Sequence, residues 1–391
     1  MSTESLRREG IPFWRDERVL QVLSQIIFLV VVVAVGYSLY RNMMVALAKQ
    51  GLLPSFHWLK LTAGFDIGEH LISYSRASTY GRAFLVGILN TLLVSFLGII
   101  FATLLGVIVG VARLSGNWLL SRLAAFYVEV LRNIPLLVLL VFWYTGLFLK
   151  LPRAKEAMVL PGPIYLSNRG VAIPWGIPTE TFRLYLWVLL FAVVAAAIVA
   201  WRLTLIGKRT GRPPLVTLWT IVTFLVIAIL GGLILKPLAW SFPELKGFNT
   251  VGGRNLTPEF AALLSGLVIY TSAYIGEVVR SGIQSVSKGQ YEAARALGLN
   301  GFQTLRLVVF PQALRVIVPP LTSQYLNLTK NSSLAVYIGY PDLYSVAGTI
   351  HNQTGRAVEV TLMMMAVYLF FSLVTSLFMN WYNRKIRFVE R

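Results

Sequence analysis

Cysteine is absent from all 391 residues, and acid is scarce: 16 Asp and Glu stand against 35 Lys and Arg, a net charge of +19. Without cysteine there is no disulfide framework, thiolate zinc site or iron–sulfur ligation. The three histidines, His57, His70 and His351, lie far apart and none belongs to an H-E-x-x-H pair, so no metal site is expected. Missing too is any Gly-x4-Gly-Lys-Ser/Thr loop, which leaves the chain without a phosphate cradle of its own. Charged residues make up only 13% of the chain, 56% are hydrophobic, and the mean hydropathy is +0.69. A soluble domain carries about a quarter charged residues, so the deficit points to lipid as the main solvent. The basic surplus is not interleaved with stacking aromatics on a polar face, as nucleic-acid binding requires. It fits loops beside lipid headgroups, and no nucleic-acid partner is expected.

About 20 apolar residues cross the hydrocarbon core, and uncharged stretches of that order define eight candidate spans. Five are uninterrupted: 19–40, 83–112, 184–201, 213–235 and 360–383. Three carry charge: 123–149 with Glu129 and Arg132 near one end and Pro135 able to kink it, 260–280 ending at Glu277 and Arg280, and 314–337 containing Lys330. Isolated strands would leave backbone groups unpaired in lipid, and alternating barrel strands are not seen. The expected fold class is therefore all-α, a polytopic membrane protein with about eight transmembrane helices. Segment 19–40 is too long for a cleaved apolar region and lacks a small-x-small site after it, so it reads as an uncleaved anchor. With both termini cytosolic, the inner segments hold 19 Lys and Arg and the longer outer segments 14, the bias that the positive-inside rule demands. The outer loops 41–82 and 150–183 are rich in Pro, Gly and Trp, which suits short interfacial helices. No internal repeat is visible.

Within 83–112, Gly98, Ala102, Gly106 and Gly110 recur every four residues and form one small-residue stripe suited to close helix approach. Polar residues inside spans are costly and so invite a functional reading. Gln324, Asn327, Lys330 and Asn331 fall near one helix face beside Ser332 and Ser333. Such a stripe suits a solute path; equally, Lys330 could snorkel while the amides bond neighbouring helices. Glu277 and Arg280, three apart at a helix end, suit an intrahelical or inter-subunit ion pair better than solute contact. Glu129, Arg132 and Asn133 suit an inner gate or plain packing, with Pro135 bending the chain.

The most informative stretch is 287–311, which reads as two short helices with a sharp turn between them. Ser287 and Gln290 have the form of a capping box, and residues 292–297 are strong helix formers. Gly298 stops that helix, since only glycine takes the left-handed conformation there at no steric cost. Asn300 with Gln303 marks a second start, Phe302, Leu305 and Val309 share one face, and Pro311 falls near the second helix's end.

Here the chain resembles a known family. Glu292, Ala293, Ala294, Gly298, Val308, Phe310 and Pro311 match the "EAA" signature of bacterial ABC importer permeases, with Val308-x-Phe310 where the family more often has Ile-x-Leu. The strings GILNTL at 87–92, VLRNIPLLV at 130–138 and AYIGEVVRSGIQSV at 273–286 are similar to those of the histidine/glutamine/arginine/opine permeases. The extra N-terminal span and the insertion resemble a permease subunit of the general L-amino-acid transporters. That resemblance implies a type I importer core in two parts, 83–148 and 259–388, the second including a cytosolic coupling loop at 281–313. Around it lie a cytosolic tail (1–18), the anchor (19–40), a periplasmic segment (41–82) and an insertion (149–258) bearing the spans 184–201 and 213–235. It further implies that Glu292, Ala293, Ala294, Gly298 and Pro311 couple to a separate ATPase. The implied partners are a second, homologous permease subunit in a heterodimer, two ATPase subunits that bind ATP and Mg, a periplasmic amino-acid-binding protein, membrane lipid and the L-amino-acid substrate. No cofactor is expected on this chain, and the location is the bacterial inner membrane. The competing class is an ion-coupled secondary amino-acid transporter with Lys330 and Glu277 as charge carriers. A membrane enzyme would need convergent acid, base and nucleophile groups, and no such set is present.

Overall fold

In hydrocarbon a backbone must satisfy its own N–H and C=O groups, and the apolar stretches answer with long helices. A computed structural model describes residues 17–49, 51, 55–210, 215–247 and 249–386; almost all of the expected tail, 1–18, lies outside the described residues. The helices are α1 (Glu17–Lys49), α2 (Tyr80–Ala112), α3 (Trp118–Asn133), α4 (Leu136–Val141), α5 (Phe182–Thr210), α6 (Val216–Leu235), α7 (Pro258–Gln284), α8 (Lys288–Ala296), α9 (Gly301–Thr304), α10 (Phe310–Asn331), α11 (Leu343–Thr354) and α12 (Ala357–Ile386). Local signals set their starts: the side chains of Thr79, Asn117, Thr257 and Asp342 each cap a helix by accepting from a backbone N–H. Among the described residues seven helical runs are long and apolar enough to span a bilayer, and α3 with the helix begun by α4 makes an eighth if counted as one broken span.

That broken span corrects the expectation of one helix over 123–149. The chain turns by 107° between α3 and the helical run to Lys150. Ile134 and Pro135 are both extended, because the proline ring excludes the α conformation at the residue before it. Pro135 therefore starts a new helix rather than kinking one. The spans also overrun their charge boundaries: α1 continues past Arg41 to Lys49, and the run containing α10 is helical from Gly301 to Ile338. No described side chain of α1 is buried.

The connections expected to lie outside hold strands as well as short helices. Among the described residues between α1 and α2 a single 3-10 turn, His57–Lys60, is formed. Farther on, β1 (Met158–Leu160), β2 (Ile164–Ser167), β3 (Gly170–Ile173), β4 (Trp175–Pro178), β5 (Leu238–Ser241), β6 (Glu244–Lys246), β7 (Asn249–Val251) and β8 (Arg254–Leu256) make a four-stranded antiparallel sheet, β1-β2-β3-β8, and two pairs, β4-β5 and β6-β7. Ile173 pairs with Arg254, so the chain leaves for the α5–α6 hairpin and returns at adjacent points. That hairpin packs on itself: Tyr185 donates to the Ala228 carbonyl at 3.0 Å, and a Cβ on Gly231 would lie 2.6 Å from Val188.

The core is organised around α7. A Cβ on Gly106 would stand 2.6 Å from Ile275 and 3.0 Å from the Ser272 carbonyl, and one on Gly110 would stand 2.7 Å from the Gly276 carbonyl. Ala102 is fully buried, and Gly98 faces Leu328 of α10. The stripe is thus a packing face, turned toward α7 and α10. Tyr127 of α3 also meets α7, donating to the Ile269 carbonyl at 3.1 Å and bonding the Ser272 hydroxyl at 2.7 Å. Overpacking such a seam costs about 1–3 kcal/mol. Gly106→Leu should therefore lower the thermal midpoint of the detergent-solubilised protein, whereas Gly36→Leu, where nothing lies within 4 Å, should leave it in place; equal midpoints would refute the seam.

Candidate coupling site and the polar groups of the spans

The elbow forms between α8 and α9. Gly298 has φ +77°, its N–H donates to the Arg295 carbonyl at 2.9 Å, and Leu299 N–H reaches back to the Ala294 carbonyl at 3.1 Å. These two bonds are the Schellman arrangement that a left-handed residue closes. The capping box at Asn300 and Gln303 is complete, with bonds of 3.0 and 2.9 Å in the two directions. Ser287 does take the N-cap position of α8, but its side chain makes no capping bond. Gln290 instead accepts from the Gln312 side chain at 2.9 Å, which ties α8 to α10. Pro311 also departs from expectation. It lies in the first turn of α10, after a π-helical turn at Leu305–Val309 that keeps the chain helical past it. A proline has no N–H to give, and the π turn supplies the change of register that tolerates the loss.

On α8 the buried contact is Ala294, while Glu292 and Ala293 face outward and Leu297 is 79% exposed. Tyr291 turns inward and donates to the Ile283 carbonyl at 3.3 Å; burial raises its phenol pKa. The elbow therefore presents a carboxylate, an alanine and a leucine to whatever approaches, on a base fixed to α7 and α10. Pro311 is part of that base, and Gly298 is the turn.

Glu277 and Arg280 pair within α7, with Arg280 Nε 3.2 Å from Glu277 Oε2. The sequence reading missed the second partner: Arg113, just past α2, binds the same carboxylate. Arg113 and Glu277 are 164 positions apart, and only the α2–α7 seam brings them together. Glu129, Arg132 and Asn133 do not join this group. Asn133 donates to the Glu129 carbonyl at 2.7 Å, Glu129 is exposed, and Arg132 lies 5.4 Å over the Tyr274 ring.

Along α10, Gln324 and Asn331 are half-buried and Asn327 and Lys330 exposed, and none of the four side chains has a hydrogen-bond partner among the described residues. Lys330 lines an open cavity of about 380 Å³ with Ser333, Tyr344, Met364, Met365 and Tyr368. Behind it sits Asp342, fully buried, accepting from Ser345 N–H at 2.9 Å and from the Tyr368 hydroxyl at 3.5 Å. Burial pushes the Asp342 carboxyl up to about 6. The sequence signal for it is a cap, Asp342 three residues before Ser345 at the start of α11. Asn90 of α2 donates to the Glu69 and Pro341 carbonyls at 2.8 and 2.9 Å, clamping two loops against the helix.

Residues 102–388 match the family described as "Binding-protein-dependent transport system inner membrane component". The chain belongs to that family, and it is accordingly a multi-pass transport component of the inner membrane. It is 46% identical over 381 residues to the General L-amino acid transport system permease protein AapQ of Rhizobium johnstonii, covering 96% of this chain and 94% of that protein. It is 40% identical over 412 residues to the Glutamate/glutamine/aspartate/asparagine transport system permease protein BztB of Rhodobacter capsulatus, covering 96% of each. A solved structure titled "Crystal structure of an amino acid ABC transporter with histidines" aligns with a TM-score of 0.47 at 23% identity, over 78% of this chain and 95% of that one. The resemblance drawn from the elbow and the three strings is thus to the family that the chain belongs to.

The buried Asp342 has a pH signature. A carboxyl raised from 3.8 to about 6 in the fold favours the protonated folded state, so its contribution is fully present below the unfolded value and is lost as pH rises through about 6. Asp342→Asn keeps the capping acceptor and removes the titration. Melting the two proteins in detergent from pH 4 to 7 should show wild type gaining stability toward pH 4 relative to the variant; parallel curves would contradict the assignment.

Proposed function

We propose that this chain is the permease subunit of an ATP-driven importer that carries L-amino acids, polar ones among them, across the bacterial inner membrane by alternating access. The observation that carries the reading is the elbow: a left-handed glycine holds Glu292 and Ala293 outward on a base anchored to α7 and α10, in a chain with no nucleotide loop. The energy source is then a separate polypeptide. Two ATPase subunits bind ATP and Mg, and each grips one elbow. Glu292 offers them a charge-assisted contact, Ala293 permits close approach, and Pro311 transmits the push to α10. The elbow and both termini are cytosolic, in keeping with the excess of Lys and Arg in the inner segments.

A second, homologous permease completes the path, in a heterodimer, and a periplasmic amino-acid-binding protein delivers the solute. Gln324, Asn327, Lys330 and Asn331 line that path. Lys330, unpaired among the described residues and beside its cavity, meets the substrate carboxylate, and the amides serve the ammonium. The substrates named for the two full-length relatives support amino acids as cargo. Glu277 acts with Arg113 and Arg280 as an inner brace, a carboxylate neutralised twice, which speaks against its use as an ion carrier. Glu129, Arg132 and Asn133 stiffen the inner end of α3 near the gate. ATP binding draws the elbows together and turns the pair outward, and hydrolysis resets it; the subunit supplies differential stability between two states.

Uptake of labelled amino acids into vesicles tests this directly. With the ATPase present, uptake should require ATP, and a proton or sodium gradient alone should give none. Gly298→Val forces a branched side chain into the left-handed region, a cost of about 1–2 kcal/mol, and should abolish uptake while the subunit still inserts and assembles. Gradient-driven uptake without the ATPase, or wild-type uptake by Gly298→Val, would overturn the reading.

A further inference from the structure

Two cavities meet between the elbow and the end of α2. The larger, about 740 Å³, is bounded by Val111 and Leu114 near the end of α2, Ile283 of α7, Tyr291 and Arg295 of α8, and Thr304 of α9. The smaller, about 510 Å³, begins deeper, at Val107 and Ile108, and is closed by Arg306 and Phe310. Val111, Ala112, Leu120, Phe302 and Leu305 line both, so they form one continuous groove. At 1.5 Å per residue, Val107 to Ala112 covers about 7.5 Å of depth; the groove thus runs from inside the apolar span to its end. Large apolar side chains stand open along it, with Ile108 64% and Phe302 70% exposed.

The polar groups of the groove have one sign. Arg306 and Arg295 are exposed and make no ion pair among the described residues, and no carboxylate lines either cavity. The Thr304 hydroxyl is buried without a hydrogen-bond partner among the described residues. Glu292, Ala293 and Leu297 are exposed on α8 and line neither cavity.

We infer that this groove holds an anionic phospholipid, its acyl chain against Val107, Ile108 and Phe310 and its phosphate on Arg306 and Arg295. Basic pockets between transmembrane helices select anionic headgroups in this manner, and Thr304 supplies a donor where the headgroup meets the chain. Assigning the lipid to the cytoplasmic leaflet rests on the orientation proposed above; its binding does not.

Native mass spectrometry of the assembled complex tests the site, after exchange into nanodiscs of phosphatidylcholine containing phosphatidylglycerol. Wild type should retain phosphatidylglycerol in preference to phosphatidylcholine by about fivefold for each arginine engaged. Arg295→Gln with Arg306→Gln should keep a bound lipid and lose the preference. Ala112→Trp, which fills the shared wall, should lose both lipids, and Ile108→Trp, on an exposed position, repeats that test without touching the packed side of α2. Retention of no lipid by wild type, equal retention of both lipids, or a photo-crosslinker at Phe302 that captures a partner subunit in place of lipid would each overturn the inference. Because bound lipid is the readout, a failure of ATP-driven uptake leaves this result standing, and the reverse holds as well.

Discussion

Close contact between α2 and α7 is the constraint on which the rest of this chain depends. In lipid, burying one apolar side chain against another gains little over leaving it among acyl tails, so helices associate through intimate packing and hydrogen bonds. Gly106 and Gly110 on α2 and Gly276 on α7 permit that intimacy. Its consequences are charged as well as apolar. Glu277 follows Gly276 and falls beside Arg113, so an ion cluster forms where α2 ends and the elbow begins. Tyr127 holds α3 to the next turn of the same helix. The elbow follows α7 in the chain, and the glycine seam joins α7 to α2.

Around α11 a different logic holds, in which loops are fixed by buried polar groups. Asn90 spans two carbonyls from distant loops, and Thr91 accepts from the Leu343 N–H at 2.9 Å. These bonds seat α11 on α2 and place Asp342 under Tyr368, beside the cavity that Lys330 opens onto. The pairing of β3 with β8 lets a whole helical hairpin be inserted between α4 and α7 without separating them.

Much of this was legible in the residues. Lipid imposes a strong filter, so the uncharged stretches located the long helices closely, and Gly98, Ala102, Gly106 and Gly110 announced a packing face before its partner was known. Gly298 and the Asn300–Gln303 box were readable because caps are local chemistry. The failures have a common cause. Ser287 and Gln290 had the letters of a cap, but Gln312 from another helix took Gln290 away. Pro311 looked like an end because a π turn leaves no simple pattern, and the 123–149 stretch looked continuous because hydropathy does not register the backbone of Ile134 and Pro135. Two of the strand pairings, β3 with β8 and β4 with β5, join segments on either side of the α5–α6 hairpin, which no local period records.

What the amino-acid order determined by itself is whatever lipid and the local backbone enforce: the membrane setting, the long helices, the small-residue stripe, the left-handed stop at position 298 and the absence of a nucleotide loop. Those features rest on solvation and on φ and ψ, which act within a few residues. Which partner the stripe meets, that Arg113 shares Glu277, that Asp342 is buried beside Tyr368 and that two arginines border an apolar groove were decided only by the tertiary structure. Each of these joins side chains from different helices, and helix pairing in lipid is set by shape complementarity that no single segment contains.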